Sequence, residues 1–127
     1  MKIFGIGTDI VKISRIQKSV KKKLFLSRLF NKNEILKCNR TKNVSSCLAK
    51  RFAAKEAFSK ALGTGVSSGI NFNEIVVLNE KNGKPIIKLI NKTKKIVEKK
   101  FKYKKFKISV SLSDEDNYAV AFVAISI

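Results

Sequence analysis

The sequence has no histidine, only one proline and only two cysteines among its 127 residues. Without histidine, neither a Ser-His-Asp triad nor a histidine metal site can form. The two cysteines, Cys38 and Cys47, are too few for a disulfide scaffold, and no CxxC motif indicates zinc binding or redox chemistry. We therefore expect a cytoplasmic, reducing compartment.

Acidic residues are also scarce. Nine Asp and Glu stand against 28 Lys and Arg, which gives a net charge of +19. Such a surface attracts polyanions, among them nucleic acid, phosphorylated cofactors, anionic membranes and acidic proteins. The hydrophobic fraction of 44% is enough for a packed core, and the length predicts a single domain over residues 1–127. The longest apolar run, residues 118–127, is too short to span a bilayer, so any membrane contact would be peripheral.

Strand and helix patterns with hairpin-like connections predict an α+β fold with a mainly antiparallel sheet. Strands are expected at residues 3–11, 72–78, 86–90, 106–112 and 118–127. Helices are expected after a Ser14 cap and at residues 31–38, 45–62 and 91–101. The helix at 45–62 is apolar nearly all round, which predicts burial on several sides by its own domain or by another subunit. The turn from Gly63 to Gly65 is predicted to end it.

Most of the nine carboxylates are expected to be unremarkable surface groups. We expect solvated side chains for four of them, namely Glu34, Glu74, Glu80 and Glu98. The three acids Asp114, Glu115 and Asp116 are expected to occupy a hairpin turn.

Asp9 and Glu56 are the exceptions. Glu56 and Lys60 share a side of the long helix that is lined by small alanines, which leave room for a ligand. A carboxylate and an ammonium group there suit a divalent cation and a phosphate, with Asp9 as the second carboxylate. The simpler alternatives are a turn or cap role for Asp9 and an i,i+4 pair between Glu56 and Lys60.

Four blocks of this sequence resemble the holo-acyl-carrier-protein synthases, the short-type 4′-phosphopantetheinyl transferases. The N-terminal block is GIGTDIV at residues 5–11, followed by Arg15 and Ile16. The most specific block is RFAAKEA at 51–57 with KALGTG at 60–65. GKP at 83–85 and VSLSD at 110–114 before YAVA at 118–121 match the later blocks. The order and spacing fit over nearly the whole chain.

The resemblance implies an activity. The 4′-phosphopantetheine arm of coenzyme A would move to a serine of apo-acyl carrier protein, with Mg²⁺, releasing adenosine 3′,5′-bisphosphate and supporting fatty acid biosynthesis. It also implies the family fold, in which an antiparallel sheet packs with one long buried helix, and a homotrimer with active sites at subunit interfaces.

The resemblance also implies roles for individual residues. Asp9 and Glu56 match the metal ligands, and Lys60 matches a lysine near the pyrophosphate. Arg15 matches the start of the helix that docks the carrier protein. Positions near the nucleotide are matched by Arg51, Gly63, Gly65 and Pro85. The serine proton would pass either to Glu56 or to a water held by a carboxylate.

One departure and two competing hypotheses remain. Many family members have histidine at the position of Asp114, which we interpret as a turn residue outside the catalytic set. A small nucleic-acid-binding protein would explain the charge and the nine phenylalanines, but no motif of that class is present. A catalytically inactive relative is the other alternative. We expect no nucleic-acid partner and no stable membrane insertion.

Overall fold

Two antiparallel sheets and five α-helices make up the fold in the computed structural model, which describes residues 1–63 and 69–127. The strands are β1 (Ile3–Lys12), β2 (Ile75–Asn79), β3 (Pro85–Leu89), β4 (Lys107–Glu115) and β5 (Tyr118–Ser126). The helices are α1 (Ile13–Ser19), α2 (Lys23–Leu29), α3 (Lys32–Asn39), α4 (Val44–Leu62) and α5 (Asn91–Lys100). The predicted α+β class with mainly antiparallel pairing is confirmed.

The larger sheet has the strand order β1-β5-β4, and the smaller one pairs β2 with β3. In the larger sheet, Asp9 lies opposite Ala121, and Ala121 lies opposite Leu112 on the other side. Alternate residues of β5 are fully buried beneath α4, as expected for a sheet with one covered face. This face and α4 together form the centre of the core.

Two glycines of β1 let α4 lie directly on the strand. A Cβ atom added at Gly5 would be 2.0 Å from the carbonyl oxygen of Ala61, and one at Gly7 would be 2.0 Å from that of Ala57. No other residue type fits at that separation. The GIG segment therefore serves helix–strand packing, and this close approach brings the first half of β1 beside the second half of α4.

Helix α4 is buried over most of its length, as its nearly all-apolar pattern predicts. The Asn43 side chain caps its start by accepting a hydrogen bond from the backbone N–H of Ser46. Gly63 ends it in the left-handed conformation with φ 83°, as the predicted helix stop requires.

Some local expectations are wrong. Helix α1 begins at Ile13 directly after β1 and has no side-chain cap, so Ser14 lies inside the helix. Helix α2 was not predicted from the sequence. The expected strand at 72–78 begins with a short 3₁₀ turn at Phe72–Glu74. Strand β4 extends through Glu115, which moves the hairpin turn to Asp116 and Asn117.

Glu34 is the largest error of the sequence interpretation, because it is fully buried rather than solvated. Its carboxylate pairs with Lys55 at 2.6 Å and also accepts the backbone N–H groups of Asn31 and Val77. Both side chains of the pair are 0% exposed. The ion pair therefore connects α3, α4 and β2 through the core.

Cys38 in α3 and Cys47 in α4 are joined by a disulfide, with their Cα atoms 5.4 Å apart. This bond was not predicted from the sequence, and it runs against the reducing compartment that we inferred from the small number of cysteines. It fastens the end of α3 to the first turns of α4, beside the side chain of Arg51.

The outer face of the larger sheet is uncovered, and it is largely apolar on β1 and β5 but carries serines on β4. Four apolar residues of β1 and β5 are 36–64% exposed, namely Ile6, Ile10, Val120 and Phe122. A group of exposed apolar side chains of this kind indicates an interaction surface. No helix within the described residues is long and apolar enough to cross a membrane.

Candidate active site

Two carboxylates and an ammonium group meet where β1 packs on α4. Lys60 Nζ lies 3.3 Å from Asp9 Oδ1 and donates a 2.9 Å hydrogen bond to the backbone carbonyl of Thr8. The Lys60 side chain is 56% exposed, whereas that of Asp9 is 17% exposed. The ammonium group can therefore move toward a ligand, while the Asp9 carboxylate stays fixed on its strand.

Glu56 lies one helical turn before Lys60, and the charges of Asp9, Lys60 and Arg15 act on its carboxyl group. Burial raises the pKa of Glu56, and the neighbouring Asp9 carboxylate raises this pKa further. Lys60 and Arg15 act on the pKa of Glu56 in the opposite direction. Arg15, near the start of α1, thus belongs to the same electrostatic environment as the acid pair.

The chemistry of this donor set fits a magnesium ion. Mg²⁺ is commonly bound by one or two carboxylates, with waters and substrate phosphates as its other ligands. Asp9 and Glu56 provide two carboxylates, and no cluster of three or more metal-ligating side chains occurs within residues 1–63 and 69–127. A site with two protein ligands leaves positions open for phosphate oxygens.

Arg51 lies in a different part of α4 and is 4% exposed. Its Nη2 donates to the side-chain oxygen of Asn79 at 2.9 Å, and its Nη1 contacts Cys47 Sγ at 3.2 Å. Burial lowers the pKa of Arg51, and the carboxylate of Glu34 partly opposes this shift. The Nε–H of Arg51 is buried and has no hydrogen-bond acceptor within residues 1–63 and 69–127.

Arg51 lies in the wall of a cavity of about 450 Å³ that is lined by four cationic and two acidic side chains. Three lysines line it together with Arg51, namely Lys37, Lys50 and Lys81. Asp114 also lines this cavity, where it accepts a 2.7 Å hydrogen bond from Ser46 Oγ and pairs with Lys50 at 3.2 Å. Ser46 donates the main hydrogen bond that lowers the pKa of Asp114, and Lys50 adds to it. Asp114 is therefore not a turn residue. It lies in β4, and Ser46 and Lys50 hold its side chain at the wall of this cavity.

A second cavity, of about 670 Å³, has Glu56 in its wall. Phe52 and Phe72 line it with their rings in contact at a centroid distance of 6.0 Å. Arg28 from α2 and Asn73 add polar groups. The carboxylate of Glu56 thus lies at the edge of a mixed apolar and polar space large enough for a flexible ligand chain.

The predicted site residues form two groups in one copy of the chain. The structure brings together Asp9, Glu56, Lys60 and Arg15, with Gly63 one turn beyond Lys60. Arg51 belongs to the other group, because its partner Asn79 lies opposite Pro85 in the β2–β3 hairpin. The cavity around Arg51 is lined by none of Asp9, Glu56 and Lys60. Gly65 lies outside the described residues.

Sequence reasoning missed most residues that line the Arg51 cavity, among them Lys50, Ser46 and Asp114. The pairing of Ser46 and Asp114 joins residues 68 positions apart, so no local pattern reveals it. Lys50 precedes Arg51 within the recognised block, and this adjacent pair of cations was the available signal.

Comparisons with known proteins agree with the resemblance. Residues 5–123 match the model of the 4′-phosphopantetheinyl transferase superfamily. The chain is 51% identical over 123 residues to a holo-[acyl-carrier-protein] synthase of Pelagibacter ubique, covering 97% of this chain and 96% of that protein. The fold is similar to the crystal structure of the Neisseria meningitidis holo-[acyl-carrier-protein] synthase, with a TM-score of 0.86, 35% identity and coverage of 98% and 99%. It is also similar to the Helicobacter pylori synthase in complex with coenzyme A, with a TM-score of 0.80, 35% identity and coverage of 95% and 99%.

Proposed function

Because the chain belongs to the 4′-phosphopantetheinyl transferase superfamily, we propose that it is a holo-[acyl-carrier-protein] synthase. It transfers the 4′-phosphopantetheine group from coenzyme A to a serine of an apo-acyl carrier protein and releases adenosine 3′,5′-bisphosphate. The observation that carries this proposal is the convergence of Asp9, Glu56 and Lys60 at the contact of β1 with α4. An acid pair beside a mobile lysine suits the transfer of a phosphoryl group.

Asp9 and Glu56 are the proposed magnesium ligands. A bound Mg²⁺ would neutralise negative charge that develops on the pyrophosphate of coenzyme A. Lys60 is proposed to leave Asp9 and donate to a pyrophosphate oxygen, which its 56% exposed side chain permits. Its positive charge then stabilises the departing nucleotide phosphate.

The serine nucleophile comes from the carrier protein, so this chain has to supply only a proton acceptor. Glu56 is one candidate, because burial and Asp9 raise its pKa and make it a stronger base than an ordinary glutamate. A water held by the two carboxylates is the other candidate. In both cases the proton leaves the serine hydroxyl at the face of α4 that carries Glu56.

The cavity around Arg51 is the proposed site of the phosphorylated nucleotide. The unpartnered Nε–H of Arg51 and the three lysines of this cavity suit a phosphate group. Pro85, in the hairpin whose Asn79 binds Arg51, is proposed to lie beside the nucleotide. Gly63 and Gly65 are proposed to let the chain approach the phosphates closely.

We propose a homotrimer as the active assembly. In one copy, the acid pair and the Arg51 cavity are separate, so a second copy would place the Arg51 cavity of one subunit beside the acid pair of its neighbour. The exposed apolar face formed by Ile6, Ile10, Val120 and Phe122 offers a surface for such contacts. Coenzyme A would then span two subunits.

The proposed docking surface for the carrier protein lies around Arg15. This residue is exposed at the start of α1 and is close enough to Glu56 to influence its pKa. Leu24 and Phe25 of α2 are 64% and 38% exposed beside the lysines at 21–23. Exposed apolar groups surrounded by cations suit an acidic partner, and the net charge of +19 would accelerate the encounter.

The proposed role is support of fatty acid biosynthesis in the cytoplasm. The experiment that tests the activity is intact mass spectrometry of apo-acyl carrier protein after incubation with this chain, coenzyme A and Mg²⁺. We expect a mass gain of one phosphopantetheine group that EDTA abolishes. Glu56→Ala should abolish the gain, whereas Glu115→Ala, which removes an exposed carboxylate of β4, should retain it.

The same samples distinguish the competing hypotheses. No mass gain from folded wild-type protein with several carrier proteins would contradict the proposed transfer and favour an inactive relative. Nucleic-acid affinity that is high and unchanged in Glu56→Ala would favour a binding protein. A gain that persists in EDTA would refute the magnesium role alone.

A further inference from the structure

One end of the molecule is crowded with exposed lysines. Five of them come from the last residue of α5, the loop after it and the start of β4, namely Lys100, Lys102, Lys104, Lys105 and Lys107. Contacts tie this segment to the N-terminus, because the rings of Phe4 and Phe101 lie 4.8 Å apart and Lys100 Nζ lies 5.7 Å from the centre of the Phe4 ring. We call this region, with residues 1–4, the lysine-rich end.

An aromatic ring projects from the middle of this loop. Tyr103 is 76% exposed and lies between Lys102 and Lys104. Lys102 and Tyr103 have φ values of 53° and 61°, which residues other than glycine adopt only seldom. Backbone hydrogen bonds from Tyr103 to the carbonyl of Glu98 and from Lys104 to that of Phe101 hold this conformation. The fold thus maintains unfavourable φ angles at these two residues, and the side chain of Tyr103 stays exposed to solvent.

Exposed apolar side chains belong to the same end. Met1 is 78% exposed, Ile3 70% and Phe4 41%. Ile3 pairs with Ser126 of β5, and Ser126 pairs with Lys107 of β4, so these three residues are neighbours across the sheet. Aliphatic groups, a tyrosine and lysines on one surface match the composition of protein surfaces that lie in a bilayer interface.

Three of the nine acidic residues lie at the opposite end of the same hairpin, whereas Glu98 of α5 lies near the lysine-rich end. Strand β4 runs from Lys107 to Glu115, a distance of about 25 Å at about 3.3 Å per residue. Asp114, Glu115 and Asp116 cluster at its far end. Asp114 is paired with Lys50, so this end is not a uniformly negative surface, but the lysine-rich end has the larger excess of positive charge. A negatively charged surface would therefore attract the lysine-rich end more strongly than the turn.

We propose that the lysine-rich end binds the surface of a bilayer that contains anionic phospholipids. The lysines contact the headgroups, while Tyr103, Met1 and Ile3 enter the interface. This inference goes beyond the proposed transfer reaction and does not depend on it. Nucleic acid is the less suitable partner, because Met1 and Ile3 have no groups that pair with phosphates or bases and gain only from contact with hydrocarbon.

The test is cosedimentation of the full chain with vesicles, and a matched pair of variants separates local from total charge. The vesicles contain equal parts of phosphatidylglycerol and phosphatidylcholine, or phosphatidylcholine alone. The variant Lys102→Glu/Lys104→Glu/Lys105→Glu changes the proposed surface, and Lys21→Glu/Lys22→Glu/Lys23→Glu makes the same charge change elsewhere. Each lysine near an anionic surface contributes about a factor of five to partitioning, so losing three lysine charges should weaken binding by on the order of 100-fold, and the three added carboxylates should weaken it further.

Wild type and the variant Lys21→Glu/Lys22→Glu/Lys23→Glu should both bind the anionic vesicles at physiological salt, and neither should bind the neutral vesicles. Tyr103→Ser, which changes no charge, should weaken binding by about fivefold to tenfold through loss of an interfacial ring. This variant also tests the proposal should the triple variant fail to fold. Equal loss in both triple variants would overturn the proposal in favour of total charge. Absence of vesicle binding, or competition by an oligonucleotide at equal phosphate concentration, would overturn it as well.

Discussion

The buried ion pair of Glu34 and Lys55 leads to a quantitative prediction about stability. Lys55 donates to Glu34 Oε1 at 2.6 Å and to the carbonyl of Phe72 at 2.8 Å. The variant Lys55→Met keeps the length of the side chain and removes both the charge and these hydrogen bonds. It leaves the Glu34 carboxylate 0% exposed, with only the backbone N–H groups of Asn31 and Val77 as partners.

The expected cost follows from this geometry. Removing one partner of a buried pair costs about 3–5 kcal/mol, because the remaining charge is neither solvated nor paired. We expect the middle of this range, about 4 kcal/mol, since two backbone donors still stabilise the carboxylate of Glu34. Folded domains have about 5–15 kcal/mol of stability in total, so a large part of the free energy of unfolding would be lost.

Urea unfolding at pH 7, followed by circular dichroism at one protein concentration, measures this change. The matched control is Lys60→Met, which breaks the exposed pair with Asp9 and should cost less than about 1 kcal/mol. The double variant Glu34→Gln/Lys55→Met removes both charges, and we expect a coupling energy of about 2 kcal/mol or more between the sites. A loss within about 1 kcal/mol for Lys55→Met would refute the reasoning, since Glu34 would then not be charged in the core.

Two further variants test the packing of α4 and the bracing of Asp114. Gly7→Ala would place a Cβ 2.0 Å from the carbonyl oxygen of Ala57, so thermal unfolding should show a destabilisation of about 1–3 kcal/mol or more, and an unchanged melting temperature would contradict the close contact. Asp114→Asn should lower the free energy of unfolding by less than about 1 kcal/mol at pH 7, because the pair with Lys50 is partly exposed. The folded-state pKa of Asp114 is lowered, so its contribution is present above its unfolded pKa and is lost as the pH falls through the folded value. Urea titrations at several pH values should show wild type and Asp114→Asn converging below about pH 4, and a constant difference would contradict this assignment.

The sequence was sufficient to predict those helices and strands that are determined by local residue patterns. Helix α4 follows from a long segment rich in Ala, Lys and Leu, without glycine or proline, that ends at Gly63. The hairpin of β4 and β5 follows from alternating apolar residues in β4 and a continuous apolar run in β5. Helix α2 was missed because it has no side-chain cap and only seven residues. Its core-facing residues Leu26 and Leu29 are only partly buried and span a single turn, which is too short to reveal a helical period.

Glu34 and Asp114 show that local sequence patterns do not predict the environment of a carboxylate whose partners are remote in sequence. Glu34 completes a capping box with Asn31 at the start of α3, a motif that is usually found at the surface. Its burial depends on Lys55, which is 21 positions away, and on the backbone of β2. Asp114 looks like a turn residue until Ser46, from a distant helix, is placed beside it. Both errors concern carboxylates whose partners are remote in sequence.

The meeting of Asp9 with Glu56 and Lys60 depends on backbone packing rather than on the acids themselves. Asp9 and Lys60 are 51 positions apart, and no spacing rule joins them. Gly7 faces the carbonyl of Ala57 and Gly5 that of Ala61, so β1 and α4 run past each other in a fixed alignment. That alignment places the residue two positions after Gly7 beside the helical turn that carries Glu56 and Lys60. The glycines of the GIG segment therefore determine where the proposed metal site forms, although they contribute no side chain to it.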